Sequence, residues 1–299
     1  MIKYKILSVV LLLLLVSCTS KKKKTGEDAG DAAAVKKFEL VEAWKTDTLF
    51  RVPESVIYDR DNDVVYVSNL NYEPRVKDGN GFISRMSTSG EILDLKWVED
   101  MSSPKGLGIY DGKLYVSDID EVIVIDITKG EIEERIVIEG AKMINDISID
   151  DQGNVYVSDS DNNNIFLISN GEVNNWLSEG LNAPNGLLVD GDRLLLASMG
   201  SQDFAAIDLA TKEINVISDS IYAGDGIARA SIPDHFLVTD WNGQVFMIYP
   251  DGSKTILLDT REEETGAADI DFILEKNLLL IPTFYKHTVI AYKLVEKEG

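Results

Sequence analysis

The chain has 299 residues, of which 29 are basic and 51 acidic, for a formal net charge of −22, and a single cysteine. So acidic a body argues against nucleic acid as a partner, because phosphate affinity depends on Lys and Arg releasing counterions. One cysteine excludes an internal disulfide, so the fold must be held by its core, and 44% hydrophobic residues over this length are enough to build one.

In chain order, the first segment is MIKYK, with Lys3 and Lys5. An apolar run over 6–16 follows, ending in the box Leu15-Val16-Ser17-Cys18. A basic start, a short apolar stretch and a small residue before a cut predict an export signal over 1–17, too short for a spanning helix. The cysteine at the cut makes the segment resemble a bacterial lipoprotein signal. That resemblance implies a lipid on Cys18 and an exported chain held at a cell-envelope membrane, expected to be the outer one, through the lipid alone. Residues 18–37 carry four consecutive lysines and then Gly, Asp and Ala, and read as a tether. Residues 38–299 remain for one large β domain.

Within that domain six short segments align: PESV (53–56), PKGL (104–107), INDI (144–147), PNGL (184–187), GDGI (224–227) and AADI (267–270). Their starts are 51, 40, 40, 40 and 43 residues apart. A period near forty without helical patterning predicts propeller blades of four strands each. Apolar second strands keep the register: VVYVSN, KLYVSD, NVYVSD, RLLLAS, HFLVTD and LLLIPT. Such runs suit strands covered on both faces. The last repeat has room for only three strands, and FELVEAWK (38–45) precedes the first. The expectation is therefore an all-β, six-bladed propeller whose last blade is closed by the N-terminal strand, which removes open edges. The first repeat carries about ten extra residues in the loop 69–81. That loop emerges on the face where the aligned segments begin, as a lid or specificity loop or simply as a mobile insertion.

One column of the alignment carries chemistry. Its residues are Glu54, Lys105, Asn145, Asn185, Asp225 and Ala268. In a closed ring they face one another around the axis. Two carboxylates and two carboxamides suit one hard divalent cation, and calcium takes six to eight oxygens. Zinc would want nitrogen or sulfur, which the column lacks. Asn and Gly before a strand are also ordinary turn formers, and Asp118, Asp159 and Asp240 after the second strands are expected only to bond backbone amides.

Pro53-Glu54, Asn145-Asp146, Pro184-Asn185-Gly186-Leu187 and Gly224-Asp225-Gly226, in this order and at blade spacing, resemble the gluconolactonase and regucalcin (senescence marker protein) family. The wider group includes diisopropyl fluorophosphatase and the paraoxonases. The resemblance covers about residues 38–299. It implies Glu54, Asn185 and Asp225 as metal ligands, with Asn145 as a further ligand or a substrate contact. The implied reaction is calcium-dependent hydrolysis of a small lactone or related ester, with Asp225, or water held by it, as general base.

Three departures stand beside the resemblance. Met143 occupies the place of an arginine found in sugar-lactone members, which disfavours a gluconate-like substrate. Only His235 and His287 are present, where paraoxonases use a histidine pair; His287 in the blade-six hairpin is either a substrate contact or proton carrier or a turn-lining residue. Lys105 beside Glu54 either meets an anionic substrate group or pairs with Glu54 and weakens metal binding. Tyr72, Trp241 and Phe284 are candidates for an apolar wall on the same face. The competing expectation is a non-catalytic ligand- or partner-binding propeller with a structural axial metal, since fold alone does not establish catalysis.

Overall fold

The computed structural model describes residues 37–297. The predicted signal, Cys18 and nearly all of the tether lie outside the described residues. From residue 38 onward the chain forms six antiparallel sheets of four strands each. In five of them the strands follow chain order from the axis outward. In the sixth, the N-terminal strand Phe38–Lys45 pairs with the last strand Val289–Glu296, Phe38 facing Glu296. The outer position of the last blade is thus filled from the other end of the chain, as the sequence predicts.

The second strands are apolar over most of their length because each is covered by a neighbouring blade on either face. Tyr66, Ile83 and Val98 of blade one pack on Leu114, Val116, Ile123 and Ile125 of blade two, and equivalent clusters fill the other joints. The ring is closed by the backbone as well, since the Asp269 amide of blade six donates to the Glu54 carbonyl of blade one at 3.0 Å.

The inner strands share one irregularity that positions the site. Pro53 pairs with Asn69 but Val56 pairs with Val67, so Glu54 and Ser55 together oppose Ser68. The same shift recurs at Pro104/Leu107, Ile144/Ile147, Pro184/Leu187 and Gly224/Ile227. This is a β-bulge, which interrupts the ladder and re-aims the residues it contains. The amide displaced by the bulge is satisfied from the second strand. Ser68 Oγ accepts from Ser55 N at 2.9 Å, Ser158 Oγ from Asp146 N at 2.9 Å, and Thr239 Oγ1 from Gly226 N at 2.7 Å. In blades one, three and five the hydroxyl of the VSN, VSD and VTD motifs therefore repairs a defect made by the motif that faces it, whereas Ser117 of blade two donates to the Asn145 carbonyl and Ser198 Oγ of blade four has no hydrogen-bond partner. The acid that follows serves the preceding turn. Asp118 accepts from the amides of Ser102 and Ser103, Asp159 from Lys142 and Met143, and Asp240 from Ala223.

Candidate functional site

In blades one to five the bulge brings two successive inner-strand residues to the channel in two layers, and in blade six Ala268 and Asp269 take the equivalent places just before the strand Asp271–Ile273. The upper layer is the column Glu54, Lys105, Asn145, Asn185, Asp225 and Ala268, every member buried. The layer below is Ser55, Gly106, Asp146, Gly186, Gly226 and Asp269. Its glycines are required by space. A Cβ on Gly186 would stand 1.6 Å from the Asp225 carbonyl oxygen, one on Gly226 2.4 Å from Ile270 N, and one on Gly106 2.5 Å from Asp146 Cα. Beyond this waist, Val56, Leu107, Ile147, Leu187, Ile227 and Ile270 line the opposite mouth of the channel.

Glu54, Lys105, Asn145 and Asp225 open into one cavity of 220 Å³, which Met143, Met199 and Trp241 also line. Asn185 joins them through its Nδ2, which donates to Asp225 Oδ1 at 2.9 Å and to the Gly224 carbonyl at 3.3 Å. Two oxygens are then left over. Glu54 Oε2 and Asn185 Oδ1 are fully buried without a hydrogen-bond partner. Buried oxygens of this kind are costly unless something else satisfies them.

The charge around the axis is equally unbalanced. Burial drives the Glu54 carboxyl well above the ordinary carboxylate range, the charges of Asp225, Asp269 and Asp146 raise it further, and Lys105 opposes the rise. Asp225 is raised by burial and then by Asp269, against its bond from Asn185. Asp146 is raised by burial and by Asp269, although its oxygens accept from the amides of Leu187 at 2.6 Å and Ile147 at 2.7 Å. Asp269 is pushed up to about 7, chiefly by burial, despite a 2.5 Å bond from Ser55 Oγ. Four carboxyls thus share one narrow channel with one lysine. Such a group must be neutralised by protons or by a cation.

These residues fit a divalent metal ion by two observations: an all-oxygen donor set, and the orphaned Glu54 Oε2 and Asn185 Oδ1. Among the described residues no three His, Cys, Asp or Glu side chains are grouped as a metal site. A cation at the axis would therefore rely on two carboxylates supplemented by carboxamide oxygen.

Lys105 does not pair with Glu54, one of the two roles expected of it from sequence. It lines the cavity, but its three protons go to Ser103 O at 3.0 Å, Ser103 Oγ at 3.0 Å and Pro74 O at 3.3 Å, and it makes no ion pair with Glu54. It pins the 69–81 insertion. That insertion does overhang the axis, since Leu70, Pro74 and Arg75 line the cavity. Arg75 pairs with Asp161 of blade three, and Lys77 with Asp120 of blade two at 2.5 Å.

Tyr72 and His287 are not among the cavity-lining residues. Tyr72 is 55% exposed and sits edge-on to His287 at 5.9 Å. His287 Nδ1 accepts the Val52 amide at 3.1 Å, which commits that nitrogen to the backbone; burial lowers its pKa, and Arg51 adds to this. Trp241 does line the cavity, with Phe284 and Tyr285. Sequence reasoning missed Asp269 and the structural part of Asp146, whose signal was their place directly after the polar column.

Comparison with known proteins adds the fold. No protein-family model matches the chain, and no curated protein matches its sequence. Solved structures do match. An inactivated virginiamycin B lyase from Staphylococcus aureus superposes with a TM-score of 0.61 at 13% identity, over 87% of this chain and 100% of that one. A candidate gluconolactonase gives 0.62 at 15% identity, over 88% and 94%. An auxiliary nutrient binding protein from Bacteroides thetaiotaomicron gives 0.66 at 10%, over 87% and 77%. At these identities the likeness is one of fold, and this propeller architecture serves both enzymes and binding proteins.

Proposed function

We propose that this protein is a calcium-dependent hydrolase of a small lactone or related ester, exported and held at a bacterial envelope membrane by a lipid on Cys18. One observation carries the catalytic part of this reading. Glu54 Oε2 and Asn185 Oδ1 are buried oxygens without protein partners, and Asn185 Nδ2 holds the neighbouring Asp225 carboxylate at 2.9 Å. Glu54, Asn185 and Asp225 would hold the ion, with Asn145 completing the set or meeting the substrate. When bound, a divalent cation would polarise the carbonyl and offset the negative charge of the channel. Asp225 would accept the proton of the attacking water, and a carboxyl raised above its ordinary range suits that role near neutral pH. Met143, Met199 and Trp241 would exclude bulk water and favour a fairly apolar substrate.

The test is a panel of lactones and aryl esters of varied ring size and tail length, assayed with calcium and with a chelator. Hydrolysis that requires calcium and is lost in Asp225→Asn supports the reading. Turnover that survives chelation rejects it. A second reading, a ligand-binding propeller with a structural axial metal, draws on Lys105, whose ammonium is wholly spent on holding the insertion over the cavity. Calcium binding with no hydrolysis across the panel favours that alternative.

A further inference from the structure

A second cavity shares a wall with the axial one. It measures 520 Å³, and Tyr222, Trp241, Phe284 and Tyr285 form its aromatic side. The last three rings are mutually close to perpendicular. Trp241 meets Phe284 at 5.2 Å and 77°, Phe284 meets Tyr285 at 4.7 Å and 87°, and Trp241 meets Tyr285 at 6.1 Å and 82°. Together they make the corner of a box. Phe284 holds it at φ +50°, a costly backbone conformation for a bulky residue and one that collects at ligand sites. Tyr222 and Tyr285 are each 60% exposed, so the box is open to solvent.

The charges on the remaining walls have one sign once internal pairs are removed. Arg261 spends Nε and Nη2 on the two oxygens of Asp259, at 2.8 and 2.6 Å. Asp240 accepts from the Ala223 amide and from Asn242 and has no ion-pair partner among the described residues. Glu264 is an exposed carboxylate without a side-chain partner. Aromatic faces beside unpaired carboxylates attract organic cations, and desolvation in a pocket strengthens that attraction.

We propose that this pocket binds an organic cation of the substituted-ammonium class, seated against Trp241, Tyr285 and Tyr222 with Glu264 as its counterion. In the hydrolase it receives a cationic substituent of the ester or lactone; this assignment to the substrate rests on the function proposed above, whereas the binding itself does not.

Calorimetric titration of the full chain with choline and with its uncharged carbon isostere, 3,3-dimethylbutan-1-ol, tests it, in calcium and in chelator. Choline is expected to bind saturably and about tenfold or more tighter than the isostere. Glu264→Gln and Tyr285→Leu, both at exposed positions, are each expected to weaken choline several-fold without weakening the isostere, with melting curves confirming the fold. Equal affinity for the two probes, or no saturable choline binding, overturns the proposal. Choline binding in a protein that takes no calcium keeps the cation pocket and removes the hydrolase. Calcium-dependent hydrolysis without choline binding does the reverse.

Discussion

The Asn185 amide donates to Asp225 Oδ1 at 2.9 Å across the joint between blades four and five, and this bond leaves Asn185 Oδ1 buried with nothing to accept from. The pair is arranged as two ligands would be, one oriented by the other. Asn185→Leu keeps a similar volume and removes both the donor and the orphaned oxygen. Calcium affinity measured by calorimetry is expected to fall by about tenfold or more, the loss of one good oxygen ligand. Unchanged affinity in a folded variant would remove Asn185 from the ligand set.

Proton linkage gives a second expectation. Glu54, Asp146, Asp225 and Asp269 all have folded-state pKa values above their ordinary ones, and Asp269 reaches about 7. A group of this kind binds its proton more tightly in the folded state, so its contribution is fully present below pH ~4 and is lost as pH rises toward the folded value. In chelator the melting temperature is therefore expected to fall as pH rises from about 4 to about 7. Calcium requires the deprotonated carboxylates, so its stabilisation grows over the same interval. Parallel melting curves with and without calcium would place the ion elsewhere.

Lys105 offers a third. Its ammonium ties Pro74 of the insertion to Ser103 and opposes the rise in the Glu54 pKa. Replacing it with Met should speed hydrogen exchange of amides around Pro74, because the middle of the strap then keeps only its exposed pairs to Asp161 and Asp120, which are weak, while its ends stay held through Leu70, Asn71 and Gly79. The same change should raise calcium affinity several-fold by removing a like charge. Exchange rates equal to those of the parent chain would mean that the strap is held without Lys105.

Gly186 tests the packing of the waist. A Cβ there would lie 1.6 Å from the Asp225 carbonyl oxygen, a backbone atom that cannot swing away. Gly186→Ala is expected to cost about 3 kcal/mol or more in urea unfolding, at the upper end of overpacking, and to weaken calcium binding with it. A loss below about 1 kcal/mol would mean that the inner strands part easily at this level.

The blade count and the closure by 38–45 were legible in the sequence because each repeat carries its own strand and turn chemistry at a near-constant period. Glu54, Asn145, Asn185 and Asp225 were legible because they fall in one column of that repeat. Asp269 was not, for a definite reason. In a regular strand the residue after Glu54 points away from its neighbour, and only the bulge brings both toward the channel; Asp269 reaches the equivalent place from the segment ahead of the blade-six inner strand. Sequence alone does not show a bulge whose partner hydroxyl lies on another strand. Lys105 was seen as a charge facing Glu54, but its true partner, the Pro74 carbonyl, belongs to an insertion without a repeat to align it. Tyr222 and Tyr285 precede or follow the aligned motifs, so nothing in the pattern joined them to Trp241.

The most direct measurement is a crystal structure of the protein grown in calcium, with anomalous differences recorded to locate the ion. A peak is predicted on the axis, about 2.3–2.6 Å from oxygens of Glu54, Asn185 and Asp225. An axis empty at saturating calcium, with the Glu54 carboxyl hydrogen-bonded to water instead, would contradict it.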